Sequence, residues 1–268
     1  MTASDTVFAG SIPAIYDRCL GPVLFTPYAR DLARRLSDLT GGRLLETAAG
    51  TGRVTRELRA QLPAAVTLVA TDLNQAMIDF AASQPHAPGV EWRQADALAL
   101  PFDSASFDAV VCQFGVMFFP DKPAGYREAR RVLKPGGRFL FNVWGALDAN
   151  DPAHATVEAA RELFPDDPPL FLARTPHGYH DTAAIERDLR SAGFATVSVE
   201  TVDLPSPSVP ARDIATGFCQ GTPMRGEIEE RRPGQLDKLT DAVTAGIARR
   251  LGEPIRGTLS AHVITATA

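Results

Sequence analysis

Three acidic residues and one glycine-rich turn sit where a parallel sheet would gather them. The run Glu46-Thr47-Ala48-Ala49-Gly50-Thr51-Gly52 closes an apolar stretch, Arg43–Thr47, and leads into a helical one. Small residues there let the backbone approach a ligand closely, and the helix N-terminus behind them favours negative charge such as a carboxylate. Asp72 ends the next apolar stretch, about 20 residues beyond Gly52, where a carboxylate can hold the two hydroxyls of a ribose. Asp96, followed by Ala97, ends the third. Ligands of open α/β sheets bind at the carboxyl edge of the strands, so Glu46, Asp72 and Asp96 are expected around one crevice. Each has a plainer reading alone: Asp72 as a helix cap, Asp96 as a turn residue, Glu46 as a rim charge. Their coincidence with the glycine loop carries the binding reading.

Two other segments hold candidate chemistry. Thr175-Pro176-His177-Gly178-Tyr179-His180 offers two imidazoles, which titrate near neutral pH and suit a general base. The plainer reading is a loop with two hydrogen-bonded histidines. No Cys or His cluster completes a metal set around them, so no metal is expected. The stretch Gln113–Phe119 (QFGVMFF) runs off an apolar segment, and Met117, Phe118 and Phe119 line either a pocket or the core.

These residues need elements to position them. Strands are predicted over Arg43–Thr47, Val66–Thr71, Val90–Ala95, Phe107–Gln113 and Arg138–Trp144, alternating with helices over Gly50–Leu62, Asn74–Ser83 and Pro123–Leu133. Lys134-Pro135-Gly136-Gly137 reads as a breaker between the third helix and the fifth strand. Before Arg43, helices are predicted over Ile12–Leu20 and Pro27–Leu39, with Gly21-Pro22 between them. After Trp144 comes a Pro-, Asp- and His-rich stretch to His180, then a helix over Thr182–Ala192. Strands are predicted over Thr196–Leu204 and Thr258–Thr267, enclosing an insertion whose best helix carries Leu236, Leu239, Val243, Ile247 and Leu251 on one face. The expected organisation is one α/β domain with helices on both faces of its sheet. It divides into a helical cap (1–42), a core (43–144), a lid and helix (145–193), and closing strands (194–268) around a helical insertion (205–257).

Composition bounds the class. The 268 residues, 45 % hydrophobic and 22 % charged, are those of a globular protein with a full core. A formal net charge of −5 disfavours a nucleic-acid binder. Three scattered cysteines, Cys19, Cys112 and Cys219, point to a reducing compartment. Met1–Gly10 has no apolar run of a secretory signal, and no stretch is long and apolar enough to span a membrane. A cytoplasmic location is therefore expected. The oligomeric state is not legible.

The loop ETAAGTG resembles the E/D-x-G-x-G-x-G loop of class I S-adenosylmethionine-dependent methyltransferases. VATDLNQAM, QADALALPFDSASFDAVVCQF and ARRVLKPGGRFLFNVW match further segments of that family, in order, over about Arg43–Trp144. The resemblance implies a seven-stranded Rossmann-like sheet with the last strand antiparallel, S-adenosylmethionine as cofactor and a small-molecule methyl acceptor. It implies that Asp72 binds the ribose hydroxyls, that Leu73 packs on the adenine with Met77 in the same set, and that Asp96 accepts from the adenine amino group beside Ala97. Gly50 and Gly52 would border the methionine part. Glu46 would orient the loop or hold the amino group through water, and Gln113 would face the sulfonium. In relatives an N-terminal helix covers the cofactor, so Tyr16 or Tyr28 would reach its carboxylate, while His177 or His180 would act as base. Ala48 departs from the family, whose loop has glycine there. The Arg-Asn pair usual after strand four in the related quinone-biosynthesis C-methyltransferases is absent, and so is the Asp/Asn-Pro-Pro-Tyr sequence of nucleic-acid amino-methylating enzymes.

Two other readings compete. A nicotinamide-dependent oxidoreductase shares the loop and the ribose acid, but its fingerprint places a third glycine where Thr55 or Glu57 stands. A non-catalytic cofactor-binding protein on the same fold is distinguished only by activity.

Overall fold

The computed structural model describes residues 10–85 and 88–268. The signal-segment reading rests largely on positions 1–9, outside the described residues. Seven strands, β1 (Gly42–Glu46), β2 (Val66–Asp72), β3 (Val90–Gln94), β4 (Phe107–Gln113), β5 (Leu133–Trp144), β6 (Thr196–Pro205) and β7 (Thr258–Thr267), form one sheet. Their order is β3-β2-β1-β4-β5-β7-β6. The first five are parallel, and β7 runs antiparallel to both β5 and β6. This is the α/β sheet, with its final strand reversed, that the sequence predicts.

The central strands are apolar throughout because helices cover both faces. Leu44, Leu45, Ala109, Val110, Val111 and Cys112 are all inaccessible to solvent. Leu44 pairs with Ala109 and Glu46 with Val111, so β1 and β4 end side by side at the carboxyl edge. The crossover helices are α3 (Arg53–Gln61), α4 (Gln75–Ala82) and α5 (Lys122–Val132). Val54, Thr55 and Leu58 make the buried stripe of α3, while Arg53 and Arg56 turn toward Asp17 of the N-terminal segment.

The cap differs from expectation. A short α1 (Ile12–Ile15) runs through a wide π-helical segment, Tyr16–Phe25, into α2 (Thr26–Arg35) without the predicted break at Gly21-Pro22. Pro22 has no N–H to donate, and the wider winding absorbs that loss. The Thr26 hydroxyl donates to the Gly21 carbonyl at 3.0 Å. At Gly21 a Cβ would lie 2.5 Å from the Arg53 guanidinium, so a side chain there would have to displace that arginine.

Three more differences follow from local chemistry. The Pro- and Asp-rich stretch after Trp144 contains α6 (Asp151–Leu163) and the short α7 (Phe171–Arg174) before α8 (Thr182–Ser191). Pro152 opens α6 at its first turn, where a missing N–H costs nothing. The insertion holds three helices, α9 (Ala211–Gly221), α10 (Met224–Arg231) and α11 (Leu236–Leu251). Lys134–Gly137, the predicted breaker, belongs to β5, whose register against β4 shifts between Phe107 and Ala109. Among the described residues no helix is long and apolar enough to cross a membrane.

Candidate active site

A crevice of about 430 Å³ opens at the carboxyl ends of β1, β2, β3 and β4. Tyr16, Ala48, Gly50, Asp72, Leu73, Met77, Asp96, Ala97 and Gln113 all line it. The topology explains the meeting: parallel strands deliver their last residues to one edge, and the chain turns there.

The loop after β1 is built on left-handed backbone at Ala48 (φ 52), Gly50 (φ 56) and Gly52 (φ 78). Ala48 therefore adopts a glycine conformation with a methyl group attached. Asp72 locks the loop from β2: its Oδ2 accepts from the Gly50 N–H at 2.8 Å and its Oδ1 from the Asn74 N–H at 2.8 Å. Burial raises the Asp72 pKa above the ordinary carboxylate value, and those two N–H donors oppose the shift. Across the crevice, Asp96 Oδ1 accepts from the Leu98 N–H at 2.9 Å. Leu73 between them is 50 % exposed, an apolar side chain left uncovered at the crevice wall.

Two expected members lie elsewhere. Glu46 is buried behind the loop, accepting from the Thr55 hydroxyl of α3 at 2.6 Å, and burial pushes its pKa up to about 8. It is not a rim charge. Gly52 begins α3 and packs inward, where a Cβ would come 3.0 Å from the Trp92 ring. Neither lines the crevice. Tyr28 is fully buried, and its hydroxyl donates to the Val202 carbonyl at 3.0 Å. Tyr16, the other expected aromatic, stacks on Phe25 with centroids 4.7 Å apart and lines the crevice.

A second, smaller cavity of about 50 Å³ adjoins the crevice, sharing Tyr16, Phe114 and Phe118 with it. Seven aromatic residues contribute to its wall, and His177 lines it. His177 Nδ1 lies 2.9 Å from the Gly145 carbonyl. A carbonyl only accepts, so Nδ1 carries the proton and Nε2 a lone pair. Burial lowers the His177 pKa to about 4. His180 lines neither cavity; its Nδ1 donates to the His177 carbonyl at 2.8 Å.

Sequence reasoning missed Phe114 and Trp144, whose rings stack in parallel 3.7 Å apart, and Phe171 and Phe218. Trp144 ends β5, so the strand-edge argument that placed Asp72 applies to it equally. Phe114 is a non-glycine residue at φ 48, held there because its N–H is bonded by Asn142 Oδ1 at 2.9 Å. Nothing in the local sequence signals that. Among the described residues no group of three or more His, Cys, Asp or Glu could hold a metal ion.

The methyltransferase-domain family profile matches residues 45–141. A ubiquinone/menaquinone biosynthesis C-methyltransferase, UbiE, of a Caulobacter species is 38 % identical over 192 residues, 63 % of this chain and 73 % of the relative. The chain belongs to the class I S-adenosylmethionine-dependent methyltransferases. The enzyme of the same name from Geobacter sulfurreducens is 39 % identical over 105 residues, a match that spans 38 % of this chain but only 41 % of that relative. In fold, the chain superposes on phosphoethanolamine N-methyltransferase 2 of Haemonchus contortus with a TM-score of 0.61 at 18 % identity, covering 95 % of this chain and 56 % of that one. The cofactor of this methyltransferase is S-adenosylmethionine, and the residues fit it. The half-exposed Leu73 offers an apolar face to a flat base, and the crevice volume suits a nucleoside-sized ligand.

Proposed function

We propose that this methyltransferase moves the methyl group of S-adenosylmethionine to a small, uncharged acceptor held in the inner cavity. The carrying observation is the shared wall: the cofactor crevice and an apolar chamber meet at Tyr16, Phe114 and Phe118. When bound, the cofactor supplies an electrophilic sulfonium methyl, so the protein's task is alignment, water exclusion and proton removal.

In this reading the Asp72 carboxylate takes the ribose hydroxyls on lone pairs not used by Gly50 and Asn74. Leu73 and Met77 cover the base, and Asp96 with Ala97 meets its edge. Ala48 and Gly50 border the methionine part, Gly52 sets the start of α3, and Glu46 braces the loop through Thr55. Tyr16 reaches the carboxylate end, and Gln113, whose Oε1 is buried without a partner, faces the sulfur end. His177 takes the acceptor's proton, and His180 positions it. The names of the relatives suggest a quinone ring as acceptor; the chain's charge of −5 supports a small molecule over nucleic acid. Three buried, unpaired cysteines support a cytoplasmic location.

Calorimetry with S-adenosylmethionine, followed by a screen of phenols, acids, amines and thiols with methyl-labelled cofactor, tests the reading. Folded protein that gives no heat with the cofactor or its demethylated product would overturn it.

A further inference from the structure

The inner chamber has a chemistry of its own. No charged side chain lines it. Two of its polar side chains are engaged with the backbone: Asn150 Nδ2 donates to the Ala146 and Ser260 carbonyls at 3.0 and 3.1 Å, its Oδ1 accepts from the Ser260 N–H at 2.9 Å, and Thr222 donates to the Phe218 carbonyl at 2.6 Å. His177 spends Nδ1 on Gly145, which leaves the Nε2 lone pair as the ring's remaining hydrogen-bonding function. A ligand seated there therefore meets mainly apolar walls, with Tyr16 on the side shared with the crevice and the imidazole lone pair of His177 as a hydrogen-bond acceptor.

Size narrows the class further. At roughly 10–15 Å³ for each enclosed water, a 50 Å³ chamber holds about four, close to the bulk of one six-membered ring. The parallel rings of Phe114 and Trp144 lie in its wall, a surface suited to a planar ligand. The Phe114 backbone is anchored by its N–H, which donates to both Oδ1 and the carbonyl of Asn142 at 2.9 and 3.2 Å, and its ring is packed on Trp144. On the other side, Phe218 of α9 and Phe171 of α7 close the space.

Resting on the methyltransferase reading above, we infer that the acceptor is an uncharged single-ring compound of the phenol class, methylated on oxygen, with Nε2 of His177 receiving its proton. The phenol oxygen forms a bond to the methyl carbon as the carbon–sulfur bond breaks and its electron pair stays on sulfur. The O–H proton passes to Nε2, so the positive charge lost by the sulfonium appears on the imidazolium, which then releases its proton to solvent. A fused second ring or a prenyl chain would extend out of the chamber toward the adjoining crevice.

The test uses the full chain with methyl-labelled cofactor and three probes: a simple monophenol, 1-naphthol and a prenylated hydroquinone. An O-methylated product from the monophenol is expected, with kcat/KM for 1-naphthol at least 100-fold lower. His177→Gln keeps a neutral side chain of similar reach and is expected to lower kcat by about 100-fold or more, the range of general-base catalysis, while cofactor affinity stays within twofold. Phe218→Ala should shift preference toward 1-naphthol at least tenfold. Binding of the monophenol to cofactor-free protein, read by saturation-transfer NMR, should weaken in Phe171→Trp, which adds bulk to the chamber wall. A C-methylated product, wild-type preference for either larger probe, or unchanged kcat in folded His177→Gln overturns the inference. Cofactor binding with no product from the monophenol overturns the acceptor class alone, whereas absence of cofactor binding overturns the methyltransferase reading beneath it.

Discussion

Ala48 and Gly115 share one space. A Cβ at Gly115 would lie 2.5 Å from the Ala48 methyl and 2.6 Å from the Cys112 sulfur, so the methyl on the loop is accommodated by its absence on the facing turn. The alanine that departs from the family's loop is thus matched by a glycine after β4. Gly115→Ala is expected to destabilise by about 1–3 kcal/mol through overpacking. Ala48→Gly relieves a left-handed strain of about 1–2 kcal/mol against a glycine entropy cost of about 0.5–1 kcal/mol, so alone it is near neutral. In the double variant it should recover part of the loss. Urea midpoints of the four proteins check this, and a strictly additive double variant would show that the two sites do not touch.

Asp72 holds the loop through Gly50 and faces the crevice, so two of its functions separate by substitution. Asp72→Ala is expected to weaken cofactor binding more than tenfold in calorimetry. Asp72→Asn can still accept from one N–H and should retain more of the stability than of the affinity. Equal affinity in wild type and Asp72→Ala would contradict the proposed ribose contact.

Glu46 makes stability depend on pH. Its folded-state pKa, about 8, lies above the ordinary glutamate value, so the folded state binds more protons between those limits. Its contribution is fully present below about pH 4.5 and is lost as pH rises through 8, with a local slope approaching about 1.4 kcal/mol per pH unit. His177, with its pKa lowered to about 4, acts oppositely, losing its contribution as pH falls from 6.5. Glu46→Gln removes the first effect only. The variant's stability relative to wild type should therefore grow from pH 5 to pH 8 in denaturant titrations; a pH-independent difference would disprove the assignment.

The cap is tied to the loop's helix by charge. Arg53 donates to both Asp17 carboxylate oxygens at 2.8 and 2.6 Å and to its carbonyl at 2.7 Å, and Arg56 adds a contact at 3.2 Å. Asp17→Ala strands two partly buried guanidiniums and should cost about 1–3 kcal/mol. It should also speed cofactor dissociation several-fold, because Tyr16 is the next residue. Stopped-flow release rates decide: an unchanged rate with lowered stability confines the tether to folding.

The strand ends were legible because topology alone sends Ala48, Asp72, Asp96 and Gln113 to one edge. Of the two places open to Glu46, the structure has the one behind the loop, bonded to Thr55 of α3, because side chains alternate along a strand and its carboxylate points away from the crevice. The helices α6 and α9 escaped notice because a leading proline reads as punctuation as readily as a helix start. The chamber was invisible altogether. Phe25, Phe114, Trp144, Phe171 and Phe218 lie in five separate segments, and no spacing rule links them before the chain is folded.

That scattered origin has a consequence for how the protein can change. The crevice depends on strand termini locked into the central sheet, where few substitutions survive. The chamber's outer wall comes from the cap, α7 and α9, which rest on the sheet but do not build it. In the proposed function, donor and recipient are thus gripped by largely different parts that meet at Tyr16, Phe114 and Phe118. Drift along α9 can redirect what is methylated while the machinery that holds the methyl source is inherited intact.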